Sequence, residues 1–175
     1  MSFPLKNIIS YDIIVLTINK SLEVQLVMKK EIIGIRAVGV TIKDGKILVQ
    51  RDGNEYALPG GTVEFGESTE ETLKREHIEE LGSDIKINRL LWTEETFWKS
   101  AEINHHVIAF YYLVDVLDDS YISQCDEFVS QKDNCNIMLG WIPIEEIKNI
   151  TIYPTFLKEE INHLNESIKH FISRE

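Results

Sequence analysis

Between residues 36 and 116 the chain alternates short β-branched runs with one stretch of helical spacing. Residues 36–42 read as a strand, Asp44-Gly45 as a tight hairpin turn, and residues 47–50 as the return strand. Asp52-Gly53-Asn54 marks a second turn, and Pro59-Gly60-Gly61 separates strand from loop. Ser68 followed three residues later by Glu71 is a capping box, which predicts a helix to about Leu81 with Gly82 as its stop. Two long strands follow at 85–98 and 106–116, joined by a turn at 99–104. Residues 117–136 are polar and irregular and read as a loop, followed by a short strand at 138–142 and a helical turn from Pro143 through Ile147. Phe156, Ile161, Leu164, Ile168 and Phe171 form an apolar stripe that predicts a closing amphipathic helix over 155–172. The expected class is α/β, a sheet sandwiched by helices.

The first 30 residues stand apart. Residues 8–18 and 22–28 are aliphatic and β-branched around Asn19-Lys20-Ser21, which suggests a β-hairpin. Either it adds to the sheet or to a homodimer interface, or it is a leader supplied by an upstream start codon. The division expected is an extension over 1–30 and one domain over 31–175.

Size and charge narrow the classes. A chain of 175 residues with 43% hydrophobic and 27% charged residues suits one soluble domain with a proper core. A formal net charge of −11 argues against nucleic acid as a partner, since no basic excess displaces counterions from phosphate. Metal ions can still supply positive charge locally for an anionic substrate. The apolar run at 13–18 is too short to span a bilayer and leads to no cleavage site, so no membrane partner and a cytoplasmic location are expected. Cys125 and Cys135 lack a metal-binding pattern and read as free thiols.

The chemistry concentrates in residues 61–83, where a glycine turn feeds a helix carrying Glu76, Glu79 and Glu80. Spacings of three and four residues bring side chains to neighbouring positions on a helix, and carboxylates so placed repel one another. Hard divalent cations take such oxygen ligands together with water and substrate phosphates. The pattern points to a metal-phosphate site, whereas a purely solvated acidic face would not need the preceding glycines or Arg75.

Gly61, Glu67, Arg75, Glu76, Glu79, Glu80 and Gly82 occupy every fixed position of the Nudix box, which this segment closely resembles. A chance match of that quality is on the order of one in a million. His77 and Ser83 depart from it, standing where the family has aliphatic residues. The resemblance extends from about Ile32 to the end of the chain and implies an α/β/α sandwich with a mixed β-sheet. It also implies Mg²⁺, with Mn²⁺ as an alternative, bound directly by Glu79 and Glu80. Glu76 is then a further ligand or the general base, held by Arg75, and Glu67 reaches back from the loop. Gly60 and Gly61 let the backbone turn and approach phosphate. The implied activity is hydrolysis of the diphosphate linkage in a nucleoside diphosphate joined to another moiety. The alternative is a nucleotide-binding module of the same fold without hydrolysis, although such modules typically lose box glutamates.

The family usually adds one more acid after the box. Glu94, Glu95, Glu102, Asp126 and Glu127 are candidates, with Asp126 and Glu127 carried forward. His77 falls on the helix's apolar side with Leu73, Ile78 and Leu81, so it reads as a core histidine. His105 and His106 are adjacent on a strand and point to opposite faces, so they do not make a metal pair. Trp92, Phe97, Trp98 and Tyr111 are core aromatics first and base-stacking candidates second. The known substrate markers are missing: no proline occurs between Pro59 and Pro143, and no tyrosine between the box and Tyr111.

Overall fold

The computed structural model describes residues 31–100, 102–117, 127–131 and 137–174, together with two strands, β1 (Val15–Ile18) and β2 (Val24–Val27). β1 and β2 pair antiparallel with each other as a two-stranded sheet of their own. Asn19-Lys20-Ser21, Asp126 and both cysteines lie outside the described residues.

The main sheet begins with β3 (Glu31–Lys43) and β4 (Lys46–Asp52). Asp44 and Gly45 between them both adopt positive φ, 50° and 74°, the geometry a two-residue hairpin of this twist requires. β3 and β4 hydrogen-bond only at that hairpin end, through Ile42–Ile47 and Lys43–Lys46, and then part. β5 (Glu55–Ala57) pairs with β4, and β6 (Gly60–Thr62) runs antiparallel to β3. The long strands β7 (Ile85–Ser100) and β8 (Ile103–Val116) form an antiparallel ribbon, and β8 lies parallel to β3. Two bulges interrupt β7, near Arg89 and Leu91, and their phase shifts cancel.

Helix α1 (Thr69–Leu81) is capped as the sequence predicts. Ser68 accepts the Glu71 amide, the Glu71 carboxylate accepts the Ser68 amide, and Gly82 closes the helix at φ 70°. Such an N-terminal cap typically contributes about 1 kcal/mol. Leu73 and Leu81 are buried, and so are Glu76, His77 and Glu80. Ile78, expected on the apolar side, is 51% exposed, because the helix buries a stripe running through 72–73, 76–77 and 80–81 instead.

Adjacent residues of β3 face opposite sides of the sheet, and this separates two cores. Ala37 packs with Leu73 of α1, Ile85, Tyr112 and Val114. Val38 packs with Trp92, Ala109 and Tyr111 on the other face, covered by Ile147, Leu157 and Ile161. Ile147 belongs to a 3₁₀ turn (Ile144–Asn149), and Leu157 to the short helix α2 (Leu157–Glu160). The result is the mixed α/β sandwich: helical segments on both faces of a sheet with parallel and antiparallel pairs.

Two expectations are corrected. The loop over 117–136 contains a strand, β9 (Glu127–Val129), which pairs with β10 (Met138–Pro143) beside β4. The long closing helix is absent. After α2 the chain turns through Asn162, His163, Asn165 and Ser167, all weak helix formers, with the Glu166 amide donating to the His163 carbonyl. It then runs as a strand, numbered β12 (Lys169–Arg174), parallel to β7; β11 (Thr151–Tyr153) lies earlier, beside β5. Ile161, Leu164 and Phe171 of the predicted stripe do join the core, while Ile168 is exposed. Among the described residues no helix is long and apolar enough to cross a membrane.

Candidate active site

Arg75 organises the acidic side chains of the box. Its Nε and Nη2 donate to Glu67 Oε1 and Oε2 at 2.8 and 2.9 Å, and its Nη1 donates to Glu76 Oε1 at 2.8 Å. Glu79 Oε1 lies 3.5 Å from the same nitrogen, and Glu64 Oε1 lies 4.0 Å from Nη2. The bidentate bond to Arg75 is the main reason the Glu67 carboxyl is held down at about 2, with Thr72 Oγ1 and the Glu64 amide adding hydrogen bonds. The reciprocal effect raises Arg75, chiefly through Glu67, so the guanidinium is permanently charged. Glu67 reaches back from its loop to Arg75.

Glu76 lies against Gly61. A Cβ built on Gly61 would sit 2.1 Å from the Glu76 carboxylate, so only glycine permits this contact. Gly60 is constrained differently: its φ of 151° and the Ala37 carbonyl, 2.2 Å from a hypothetical Cβ, require glycine for strand β6 to lie this close to β3. Glu80 is buried, and its carbonyl accepts the Gln131 amide at 2.9 Å.

The donor set is chemically suited to a hard divalent cation: carboxylates of Glu64, Glu67, Glu76 and Glu79 surround one guanidinium, and Glu80 follows on the same helix. Their arrangement is not that of a ready cage. Among the described residues, no three Asp, Glu, His or Cys side chains are grouped so as to hold a metal, and Arg75 binds the carboxylates instead.

The other candidates separate clearly. Glu127 forms an ion pair with Arg51 at 3.2 Å on the surface. Glu95 contacts His106 and His170, each at 3.2 Å. His105 stacks on Trp98 and His106 on Phe97, which puts the two imidazoles in separate aromatic pairs. His77 is fully buried, its Nδ1–H donating to the Leu73 carbonyl at 2.9 Å. Burial pushes its pKa down to about 4.

Glu94 is the candidate whose setting the sequence did not reveal. It is 5% exposed and lines an open cavity of about 100 Å³ on the sheet face opposite α1. Tyr111 donates to its Oε2 at 2.6 Å, and Ser173 of β12 donates to its Oε1. Thr62 lines the same cavity, while its carbonyl accepts Arg75 Nη2 at 3.3 Å. Strand β6 therefore lies between the acidic cluster and the cavity. Arg36, on the cavity side, donates to the Gly60 carbonyl at 3.1 Å. No local motif marks Arg36 or Ser173; both are brought in by long-range strand pairing.

The chain matches the NUDIX domain over residues 34–163. It is 38% identical over 84 residues to an ADP-ribose pyrophosphatase of Methanocaldococcus jannaschii, covering 45% of this chain and 48% of that protein, about half of the relative's length. Among solved structures, it resembles a NUDIX hydrolase from Nitrosomonas europaea with a TM-score of 0.58 at 13% identity, covering 92% of this chain and 94% of the other. A MutT protein from Bacillus halodurans gives a TM-score of 0.52 at 16% identity, over 78% of this chain and 85% of that one. These structural likenesses speak to the fold.

Proposed function

This chain belongs to the NUDIX family, and we propose that it is a hydrolase cleaving the diphosphate linkage of a nucleoside diphosphate joined to another moiety. The observation that carries the reading is the Arg75 cluster: Glu67, Glu76 and Glu79 gathered by one guanidinium against the Gly60–Thr62 strand, with an open cavity beyond it. The similarity to an ADP-ribose pyrophosphatase supports pyrophosphatase chemistry in general.

Glu76, Glu79, Glu80 and Glu67 would hold Mg²⁺, or Mn²⁺, which neutralises diphosphate charge and stabilises the departing phosphate. Among the residues themselves, Arg75 keeps Glu67 ionised and holds Glu76 in place by charge-assisted hydrogen bonds. Glu76, fixed against the Gly61 backbone, takes the proton of the attacking water. The glycine strand lets the Glu76 carboxylate lie against the main chain, and the cavity orients the rest of the substrate.

The test is a panel of nucleoside diphosphate derivatives assayed for phosphate-bond cleavage with Mg²⁺, with Mn²⁺ and with EDTA. Cleavage that EDTA abolishes is expected. Tight binding of such compounds without turnover in any metal would favour the non-hydrolytic binding module instead.

A further inference from the structure

The cavity behind β6 is built from one face of the sheet. Gly34, Val107 and Thr96 form one row across β3, β8 and β7, and Arg36, Ala109 and Glu94 form the next; Gly34 and Ala109 leave a depression flanked by Trp98 and Tyr111. Into this largely apolar space the chain sets a carboxylate. An ionised carboxylate offers about four acceptor positions over its two oxygens. Tyr111 takes one on Oε2 and Ser173 one on Oε1, which leaves an acceptor position on each oxygen. Among the described residues, no cation pairs with Glu94. Gln50, another wall residue, buries its Oε1 without a hydrogen-bond partner among them. A clamp between β12 and the β7–β8 ribbon needs no charge, and a buried carboxylate without a cation costs several kcal/mol unless further donors reach it. The missing partners are hydrogen-bond donors, and the cavity is open to a ligand that carries them.

We propose that Glu94 reads the paired N–H donors of a guanine base, so that this protein prefers guanosine diphosphate derivatives; the inference rests on the hydrolase reading above. Guanine alone among the common bases presents two adjacent N–H donors on its pairing edge, matching two carboxylate oxygens at once. Adenine and cytosine place a ring-nitrogen lone pair beside their amino group, which opposes the carboxylate. Uracil flanks a single N–H with two carbonyls. The apolar wall of Val107 and Ala109 and the Trp98 ring suit a planar base over a puckered sugar.

The experiment titrates GMP and AMP, which lack a diphosphate bond, into the full chain. In parallel it measures turnover of GDP-linked and ADP-linked sugars. GMP should bind roughly tenfold or more tightly than AMP, the range expected for hydrogen bonds to a charged acceptor. Glu94→Gln, which puts a donor where an acceptor stood, should reduce that preference to within about twofold while raising KM more than it lowers kcat. Thr96→Leu fills the depression without touching Glu94 and should weaken both nucleotides, with an unchanged melting temperature reporting a folded protein. Equal affinity of the native chain for GMP and AMP, or an equal loss for both in Glu94→Gln, overturns the proposal. So does a selective loss for the sugar part of the substrate. GMP preference without turnover of any diphosphate would leave the recognition standing and defeat the hydrolase reading; turnover without base preference would do the reverse.

Discussion

The Glu76 carboxylate occupies the space that a side chain on Gly61 would fill, with 2.1 Å between a hypothetical Gly61 Cβ and Glu76 Oε1. The first residue of the box and its central carboxylate are therefore one geometric unit. Gly61→Ala should displace Glu76 without touching its charge. Activity is expected to fall roughly 10- to 100-fold, since small misplacements at a reacting centre carry penalties of that size. Steady-state kinetics with a parallel melting curve checks this. Unchanged kcat/KM in a folded variant would show that Glu76 does not need its present position.

Glu76→Gln keeps the shape and removes the proton acceptor. Turnover should drop by roughly 10²- to 10⁴-fold. Near-normal turnover on whichever substrate the panel identifies would remove Glu76 from the catalytic role, and Glu79→Gln measured beside it would show whether metal affinity falls instead.

His77 makes a prediction about pH. Its folded value of about 4 lies below the unfolded 6.5, so the unfolded chain binds more protons between those values. Stability from this group is fully present above about pH 6.5 and is lost as pH falls towards 4, by roughly 3 kcal/mol over the window. His77→Leu should flatten that part of the profile and leave activity intact, because the ring's Nε2 is buried with no hydrogen-bond partner among the described residues. Melting curves at pH 5 and pH 7.5 decide it. An unchanged acid sensitivity in the variant would assign that sensitivity elsewhere, for example to Glu67, whose contribution is lost only between about 4.5 and 2. The ring also fills the space above Gly39, where a Cβ would lie 2.6 Å from Cε1, so Gly39→Ala should destabilise the fold.

Residues 1–28 give a further test. Strands β1 and β2 hydrogen-bond with each other and not with the main sheet, and a two-stranded hairpin is marginal alone. Deletion of 1–28 should leave EDTA-sensitive hydrolysis in place while changing solubility or oligomeric state, read by light scattering. Loss of hydrolysis alone would place the segment in the substrate pocket, and no change in either would make it dispensable.

What the sequence disclosed was local. Ser68 and Glu71, Asp44 and Gly45, and Gly82 each specify their own few dihedrals, and each adopts the expected geometry. The box residues gather around Arg75 because turn and helix are contiguous. What it hid depends on partners distant in the chain. Phe156 to Phe171 has helical spacing, yet Phe171 pairs beside Glu94 in a parallel strand, a contact that no window of the chain contains. For the same reason Glu94 looked like any other acid: Tyr111 and Ser173, which define its setting, are 17 and 79 residues away.

Strand β6 has guanidinium groups on two of its carbonyls, Arg36 at Gly60 and Arg75 at Thr62, each from a different element. A carbonyl is the negative end of the peptide dipole, and a row of them repels an incoming anion. Here two fixed positive charges offset that repulsion, while the Ala37 carbonyl and the Glu76 carboxylate fill the space beside Gly60 and Gly61. The two guanidinium groups, one from β3 and one from α1, thus pin the same short strand from both sides, so the partition between the acidic cluster and the cavity moves only if both tethers let go.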